Sequence, residues 1–553
     1  MDINRETDWQ YWFFRFVLFV SFFLLLTVSM TLSLVKARYY RALARDNKVN
    51  EVKIPAARGK IYDRKGRLMV ESVYQYFHFI DGAKIYDDVG QFEGLRFEGK
   101  DLAYELKRKY LYGEGMAFVT GYIGELGDEK REITKEKCNK EVKVGDMVGR
   151  DGVEEFFDCG LRGTDGKRLI EVDAKGEYVR ELGRIDPEIG SELNLSLDAF
   201  WQNRIYELLD GRKAVVILSE PKTGRIISMV SSPAFDPNLF SFEKDNKKIK
   251  ELLADDENWP MLNRAISAKY QPGSVFKMVV AVAGLESEKI DENTLIEDTG
   301  VIKVGDYSYS NWLWIKRGGT EGQVGVVKAI KRSNDIFFYR LGEKVGVDGI
   351  KVWANKFGFG EKSGIELLGE LEGIVPDEEW KEKNKGEKWY LGNTYHLAIG
   401  QGDLVVTPLQ INQMTNVLAN EGKKCDVSLQ GNGNINCVDL GIKKENLDLV
   451  VEGMKQACKE GGTAWPLFNF KTELACKTGT AQVGDGTDDT HAWLTAFGPV
   501  NDAEISITVI VERGGEGSDV AAPIVGDILK EWFDEPDTQV PRYGEDGKTV
   551  VYE

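Results

Sequence analysis

Apolar positions along this 553-residue chain fall into a few distinct rhythms. Residues 16–35 form an uninterrupted apolar or small-polar run, rich in Phe, Leu and Val and long enough to cross a bilayer as a helix. Residues 192–197 alternate as a strand and 201–209 repeat as a helix. Two apolar runs, 214–218 and 225–230, flank a Lys-Thr-Gly turn and read as a hairpin. Residues 275–285 read as an apolar helix, 493–497 and 505–511 as strands, and 521–533 as a terminal helix. Terminal helices around central strands drawn from both ends predict one α+β domain with a central antiparallel sheet flanked by helices.

The pattern is weaker between the apolar run and this region. A polar helical stretch is expected to about residue 50, then strands joined by an Asp63/Gly66 turn, then short charged and Gly-rich elements. Ile185-Asp-Pro187 marks a boundary, and the polar tail after Asp534 is expected to lack structure. The expected division is a cytoplasmic N-terminus (1–15), a transmembrane anchor (16–35), a linker and small mixed domain (36–190), a larger α+β domain (191–535) and a tail (536–553).

A cleaved signal peptide is the alternative to an anchor, but its apolar region would be shorter and end in small residues, whereas this one runs into Val35-Lys-Ala-Arg. Orientation is contested. Arg5 and Arg15 precede the span while Lys36, Arg38, Arg41, Arg45 and Lys48 follow it, a count that places the large domain in the cytoplasm. Against it, all six cysteines (Cys138, Cys159, Cys425, Cys437, Cys458, Cys476) follow the span, which suits an oxidising exterior. A bond between Cys458 and Cys476 would tether the segment carrying Lys477. The net charge of −18 argues against nucleic acid as a partner. Three histidines and no Cys-x-x-Cys pair leave no metal site or cofactor to expect.

Ser-x-x-Lys occurs at Ser33, Ser219, Ser241 and Ser274, and only Ser274 combines a preceding Pro272-Gly273 breaker with a following helix. An i, i+3 spacing stacks Lys277 beside that serine, and a helix N-terminus offers free N–H groups to an oxyanion. Lys-Thr-Gly also recurs. The Lys222 copy is the hairpin turn; Lys477-Thr478-Gly479-Thr480 follows a short apolar run and suits a strand lining a cleft. Together these residues describe acyl transfer through an activated serine.

On these motifs the chain resembles the class B penicillin-binding proteins, the monofunctional D,D-transpeptidases. Further likenesses are Arg58-Gly-Lys-Ile-Tyr-Asp-Arg-Lys-Gly66, Gly149-Arg-Asp-Gly-Val-Glu154, Leu161-Arg-Gly163, Ser232-Pro-Ala-Phe-Asp-Pro-Asn238, Asn263-Arg-Ala265, Ile399-Gly-Gln-Gly402 and Thr407-Pro-Leu-Gln410. The resemblance implies a pedestal domain followed by a serine β-lactamase-like transpeptidase domain. It implies that Ser274 attacks a peptidoglycan stem peptide at D-Ala-D-Ala, releases D-alanine and passes the acyl group to an amine, and that β-lactams acylate the same serine. Lys277 would then be the base, its pKa lowered by burial and by the Lys477 cation. Ser333 would relay a proton to the leaving amine, and Lys477, Thr478 and Thr480, around Gly479, would hold the terminal carboxylate. The N–H groups of Ser274 and Thr480 would form the oxyanion hole.

Aligned on Phe337-Phe-Tyr339, the middle motif is Ser333-Asn-Asp335, with Asp335 where asparagine is more usual in the family. That aspartate, with Ile399-Gly-Gln-Gly402, favours the elongation type over the division type. The implied setting is the bacterial cell membrane, single-pass and with the catalytic domain extracytoplasmic, beside a membrane glycosyltransferase. The alternatives are a membrane-bound β-lactam sensor, a D,D-carboxypeptidase or β-lactamase, and a catalytically dead scaffold. His78 and His491 are expected to be structural.

Overall fold

The computed structural model describes residues 5–39, 49–80, 83–86, 103–128, 138, 142–173, 178–241, 245–484, 486–535, 541–543 and 550–552. The N-terminal helix Arg5–Met30 continues as a wide turn, Thr31–Val35. Its apolar stretch, Trp9–Val35, spans 27 residues at a mean hydropathy of 2.3 and is wholly unburied. This stretch includes the 16–35 run and extends on its N-terminal side. Arg15 does not interrupt it, because its guanidinium lies over the Tyr11 ring at 4.3 Å and donates to the Tyr11 hydroxyl at 2.7 Å. The long side chain can carry its charge away from its own backbone level.

Contacts divide the chain into two units, residues 1–58 with 162–190 and residues 59–161 with 191–553. The division cuts through the segment 36–190 that the sequence pattern treats as one region. In the first unit Val49–Ile54, Gly166–Val172 and Tyr178–Ile185 form an antiparallel sheet. Of the polar stretch expected to be helical, residues 37–39 are helix, residues 40–48 lie outside the described residues, and strand pairing begins at Val49, close to the expected end.

The second unit opens with the expected turn. Asp63 joins Ile61–Tyr62 to Leu68–Ile80, its carboxylate accepting from the N–H groups of Lys65 and Arg67 at 2.8 Å each. Its other oxygen accepts from the Ala199 N–H at 3.1 Å, at the start of helix α1 (Ala199–Leu209). Asp198 caps the same helix and pairs with Lys65 at 2.9 Å. The resemblance motif at 58–66 therefore serves as an anchor for the first helix of the catalytic region. Glu154, the last residue of the second motif, is fully buried against Arg108 at 2.6 Å, and Arg108 also donates to Gly59 O at 2.8 Å. His78 lies in the strand Leu68–Ile80, but its side chain is outside the described residues.

Five antiparallel strands form the central sheet: β1 (Ala214–Ser219), β2 (Ile226–Ser232), β3 (Ala475–Gln482), β4 (Thr490–Gly498) and β5 (Ile505–Val511), in the order β2-β1-β5-β4-β3. Strand β1 is buried on both faces, as its unbroken apolar run requires. Ala214, Val216 and Leu218 share one core with α1 and the terminal helix Ala522–Trp532. Val215 and Ile217 face the other core, which contains helix α2 (Lys277–Glu286), fully buried from Lys277 to Leu285. Strands β2 and β3 are therefore the two edges of the sheet. The tail, expected to be unstructured, carries one short antiparallel pair, Pro541–Tyr543 with Val550–Tyr552.

Candidate active site

Ser274 does not begin an α-helix. It lies in a 3₁₀ turn, Gly273–Phe276, which passes into α2 at Lys277. With three residues per turn, positions i and i+3 eclipse, so the tighter turn sets Ser274 directly over Lys277. Gly273 takes φ +56°, and a Cβ there would meet Thr480 O at 3.0 Å. A Cβ on Gly479 would in turn meet Pro272 O at 3.2 Å. The two glycines let the serine turn and β3 approach backbone to backbone.

Ser333, Asn334 and Asp335 form the junction between helix α3 (Val326–Arg332) and helix α4 (Asp335–Phe357). Ser333 is held in the left-handed region at φ +55°, ψ +40°, where a non-glycine residue is strained. Asn334 caps α4 by accepting from Phe337 N at 2.9 Å and donates to Asp298 Oδ2 at 2.8 Å. Asp298 Oδ2 also accepts from the Asn311 side chain at 2.9 Å, and Asn311 Oδ1 accepts from Asp335 N at 3.3 Å. This buried network fixes the strained corner.

The Lys277 amine donates to Ser333 O at 2.9 Å, to Ser333 Oγ at 3.2 Å and to Asp335 Oδ1 at 2.7 Å. Lys477 donates to the same Ser333 Oγ at 2.9 Å and to Thr478 O at 2.9 Å. Both amines are completely buried. One hydroxyl thus joins two lysines and, through Lys277, a carboxylate. Among the described residues the Ser274 hydroxyl has no hydrogen-bond partner, because the three N–H bonds of Lys277 are all directed at the middle motif.

Burial pushes both amines below the usual lysine range. Asp335 pushes Lys277 back up, whereas Lys477, with no carboxylate touching it, is driven lower still and is further depressed by the charge on Lys277. The sequence reading cast Lys477 as the cation that lowers Lys277; the contact between Lys277 and Asp335 gives the opposite order.

Edge strand β3 turns a definite set of groups outward. Thr478 O accepts from Lys477, and Thr480 O is 3.5 Å from its donor Gln401 Nε2, so neither carbonyl faces β4. In an antiparallel strand a residue's N–H and C=O point the same way, and the Thr480 N–H therefore faces the cleft as well. Thr478 Oγ1 donates to Thr463 Oγ1 at 2.8 Å. The strand start is fixed by the Cys458–Cys476 disulfide, which joins it to the end of helix α5 (Lys444–Ala457). Cys138–Cys159 and Cys425–Cys437 are the other bonds.

These elements enclose a cleft of about 1120 Å³ lined by Ser274, Ser333, Asp335, Thr478 and Thr480, with Lys277 and Lys477 beneath its floor. Thr463, Trp312, Glu516 and His396 also line it and were not found from sequence. Burial holds the His396 pKa below the usual histidine range, leaving a neutral ring. His491 packs edge-on to Tyr270 and does not line the cleft. Among the described residues no cluster of three or more His, Cys, Asp or Glu is placed to hold a metal.

Residues 214–530 match the penicillin binding protein transpeptidase domain, and residues 82–195 match the penicillin-binding protein dimerisation domain. The peptidoglycan D,D-transpeptidase MrdA of Escherichia coli K12 is 29% identical over 91% of this chain and 90% of its own. Among solved structures, the complex between penicillin-binding protein PBP2 and MreC from Helicobacter pylori superposes with a TM-score of 0.77 at 27% identity, covering 88% of this chain and 99% of that one. A structure described as the structural coordination of polymerization and crosslinking by a peptidoglycan synthase complex gives a TM-score of 0.77 at 26% identity, covering 96% of this chain and 99% of that one. With more than half its length matched by the transpeptidase domain and the dimerisation domain preceding it, the chain belongs to the class B penicillin-binding protein family.

Proposed function

We propose that this chain is a peptidoglycan D,D-transpeptidase of the elongation type that acts through a Ser274 acyl-enzyme and is acylated by β-lactams. The observation that carries the reading is the convergence of Ser274, the Ser333 hydroxyl shared by two buried lysines, and the outward face of β3 on one cleft.

In the resting protein burial lowers the Lys277 pKa and the Asp335 carboxylate, accepting from it at 2.7 Å, opposes that by favouring the charged amine. A substrate carboxylate arriving on Thr478 and Thr480 favours protonation of nearby Lys477, and that charge lowers Lys277 in turn. Neutral Lys277 can then take the Ser274 proton as the hydroxyl oxygen attacks the D-Ala-D-Ala carbonyl. The oxyanion is held by the N–H groups of Ser274 and Thr480. The oxyanion collapses and the C–N bond breaks, Ser333 passes its proton to the departing amine and is reprotonated by the Lys277 ammonium 3.2 Å away, and D-alanine leaves. An amine from a neighbouring stem peptide attacks the ester, gives up a proton and restores the Ser274 hydroxyl. Mass spectrometry of the detergent-solubilised chain after fluorescent penicillin should place one adduct on the peptide containing Ser274; an adduct elsewhere, or none, overturns the reading.

Asp335 tunes this site. Lys277 works as a base only above its pKa, and Asp335 raises that pKa. Asp335→Asn removes the raising charge, so the acidic limb of the acylation profile should move to lower pH and the variant should outpace the wild type at the foot of that limb. Stopped-flow acylation across pH checks this, and an unmoved limb refutes it.

The MrdA likeness, with Asp335, supports the elongation type over the division type. The PBP2–MreC and peptidoglycan synthase complexes support partners in a wall-synthesis assembly, including a membrane glycosyltransferase. One apolar helix supports membrane anchorage. The three disulfides support an extracytoplasmic catalytic domain against the flanking-charge count. Protease added to intact spheroplasts should then digest that domain, and its protection would restore the opposite orientation.

A further inference from the structure

Thr480, proposed above to hold the substrate's carboxylate, already donates its hydroxyl proton to a carboxylate. The acceptor is Glu516 Oε2 at 3.2 Å. The other oxygen of Glu516 pairs with Lys316 at 2.8 Å. Lys316 projects from Trp312–Arg317, a short helix distant in sequence from Glu516, and both residues line the cleft with Ser274 and Thr480, so the pair bridges two of the segments that form it.

The backbone holds Glu516 in this place. Gly517 donates its N–H to Thr480 Oγ1 at 3.3 Å, and a Cβ on Gly517 would fall 2.3 Å from Trp493 O and 2.4 Å from Gly479 O. The loop is therefore pressed onto β3 and β4 as closely as glycine allows. The Lys316 wall is looser: no residue of its helix is buried, and Gly318-Gly319 follows it. The Lys316 and Glu516 side chains are 50% and 42% exposed, and an ion pair so exposed opens at small cost.

We propose that Glu516 is a gate on the carboxylate subsite: its own carboxylate occupies the Thr480 hydroxyl, Lys316 pins it there, and a substrate or β-lactam carboxylate must displace it to bind. Two carboxylates on one hydroxyl repel each other, so occupancy by Glu516 and by ligand are alternatives. The inference rests on the transpeptidase reading of Thr480 and adds to it a residue that sets how readily anionic ligands enter.

E516Q removes the charge and the ion pair while keeping the side-chain shape. Its second-order constant for acylation by a penicillin should rise about fivefold, the effect of an ordinary exposed ion pair. The gain should lie in the dissociation constant of the pre-covalent complex and shrink as salt is raised. With the neutral carboxamide of the same penicillin, wild type and variant should acylate alike. E516A should repeat the gain and guards against a fault peculiar to the amide. If the wild type labels at Ser274 and neither variant is faster, or if both penicillins gain equally, the gate is refuted while the transpeptidase reading stands. A wild type that never labels refutes that reading and the gate with it.

Discussion

Replacing Ser274 by alanine should abolish covalent labelling by penicillin and leave the fold as it was. The hydroxyl is the only atom lost. It has no hydrogen-bond partner among the described residues, and the turn that carries it is set by Gly273 and by the Gly273 N–H bond to Gly400 O at 2.8 Å, both untouched. The stability change should therefore stay within about 0.5 kcal/mol, as for substitutions that break no buried contact. Turnover should fall on the order of a millionfold, the scale at which removing a nucleophile disables a serine acyl-transfer enzyme. Gel fluorescence after labelling, beside thermal melts of both proteins, reads the two halves of the prediction separately. Labelling that survives assigns the nucleophile to another residue.

Ser333→Ala should cost about a hundredfold to ten-thousandfold in acylation, the range typical of a positioned proton-transfer group. The loss should be similar at every pH. That flatness separates it from Asp335→Asn, which removes a tuning charge and displaces the profile along the pH axis. The alanine also deprives two buried amines of a shared acceptor, which should lower stability by about 1–3 kcal/mol. Acylation rates across pH, with melting curves, test both statements; full activity in the alanine variant would show that the hydroxyl joining Lys277 to Lys477 carries no proton.

Much of this site was legible because its signals are local. Pro272-Gly273 before an apolar run announces a turn into a buried helix, and β1 advertises burial on both faces through five consecutive apolar residues. Asp63 and Gly66 announce their turn in the same way. What the sequence hid depends on chain segments meeting from far apart. Nothing near Glu516 or Thr463 signals a cleft, because their partners Thr480 and Thr478 lie in strand β3, away from both in sequence. The same holds for Lys277: helical spacing brings it near Ser274, but that its three donors go to Ser333 and Asp335 depends on a junction 56 to 58 residues away.

The Cys458–Cys476 bond ties the history of the chain to the geometry of its cleft. Both cysteines are buried, 3% and 0% exposed, so in the folded chain the bond is out of reach of solution thiols. Closing a separation of 18 residues contributes about 3 kcal/mol in the chain-entropy picture, enough to shift how often the strand beside it frays. Protein made in a reducing cytosol and protein made in an oxidising compartment would share a sequence and a hydrophobic core, yet differ in how firmly Lys477 is presented. For recombinant material, the redox state of the compartment of synthesis is therefore as much a part of the preparation as its purity.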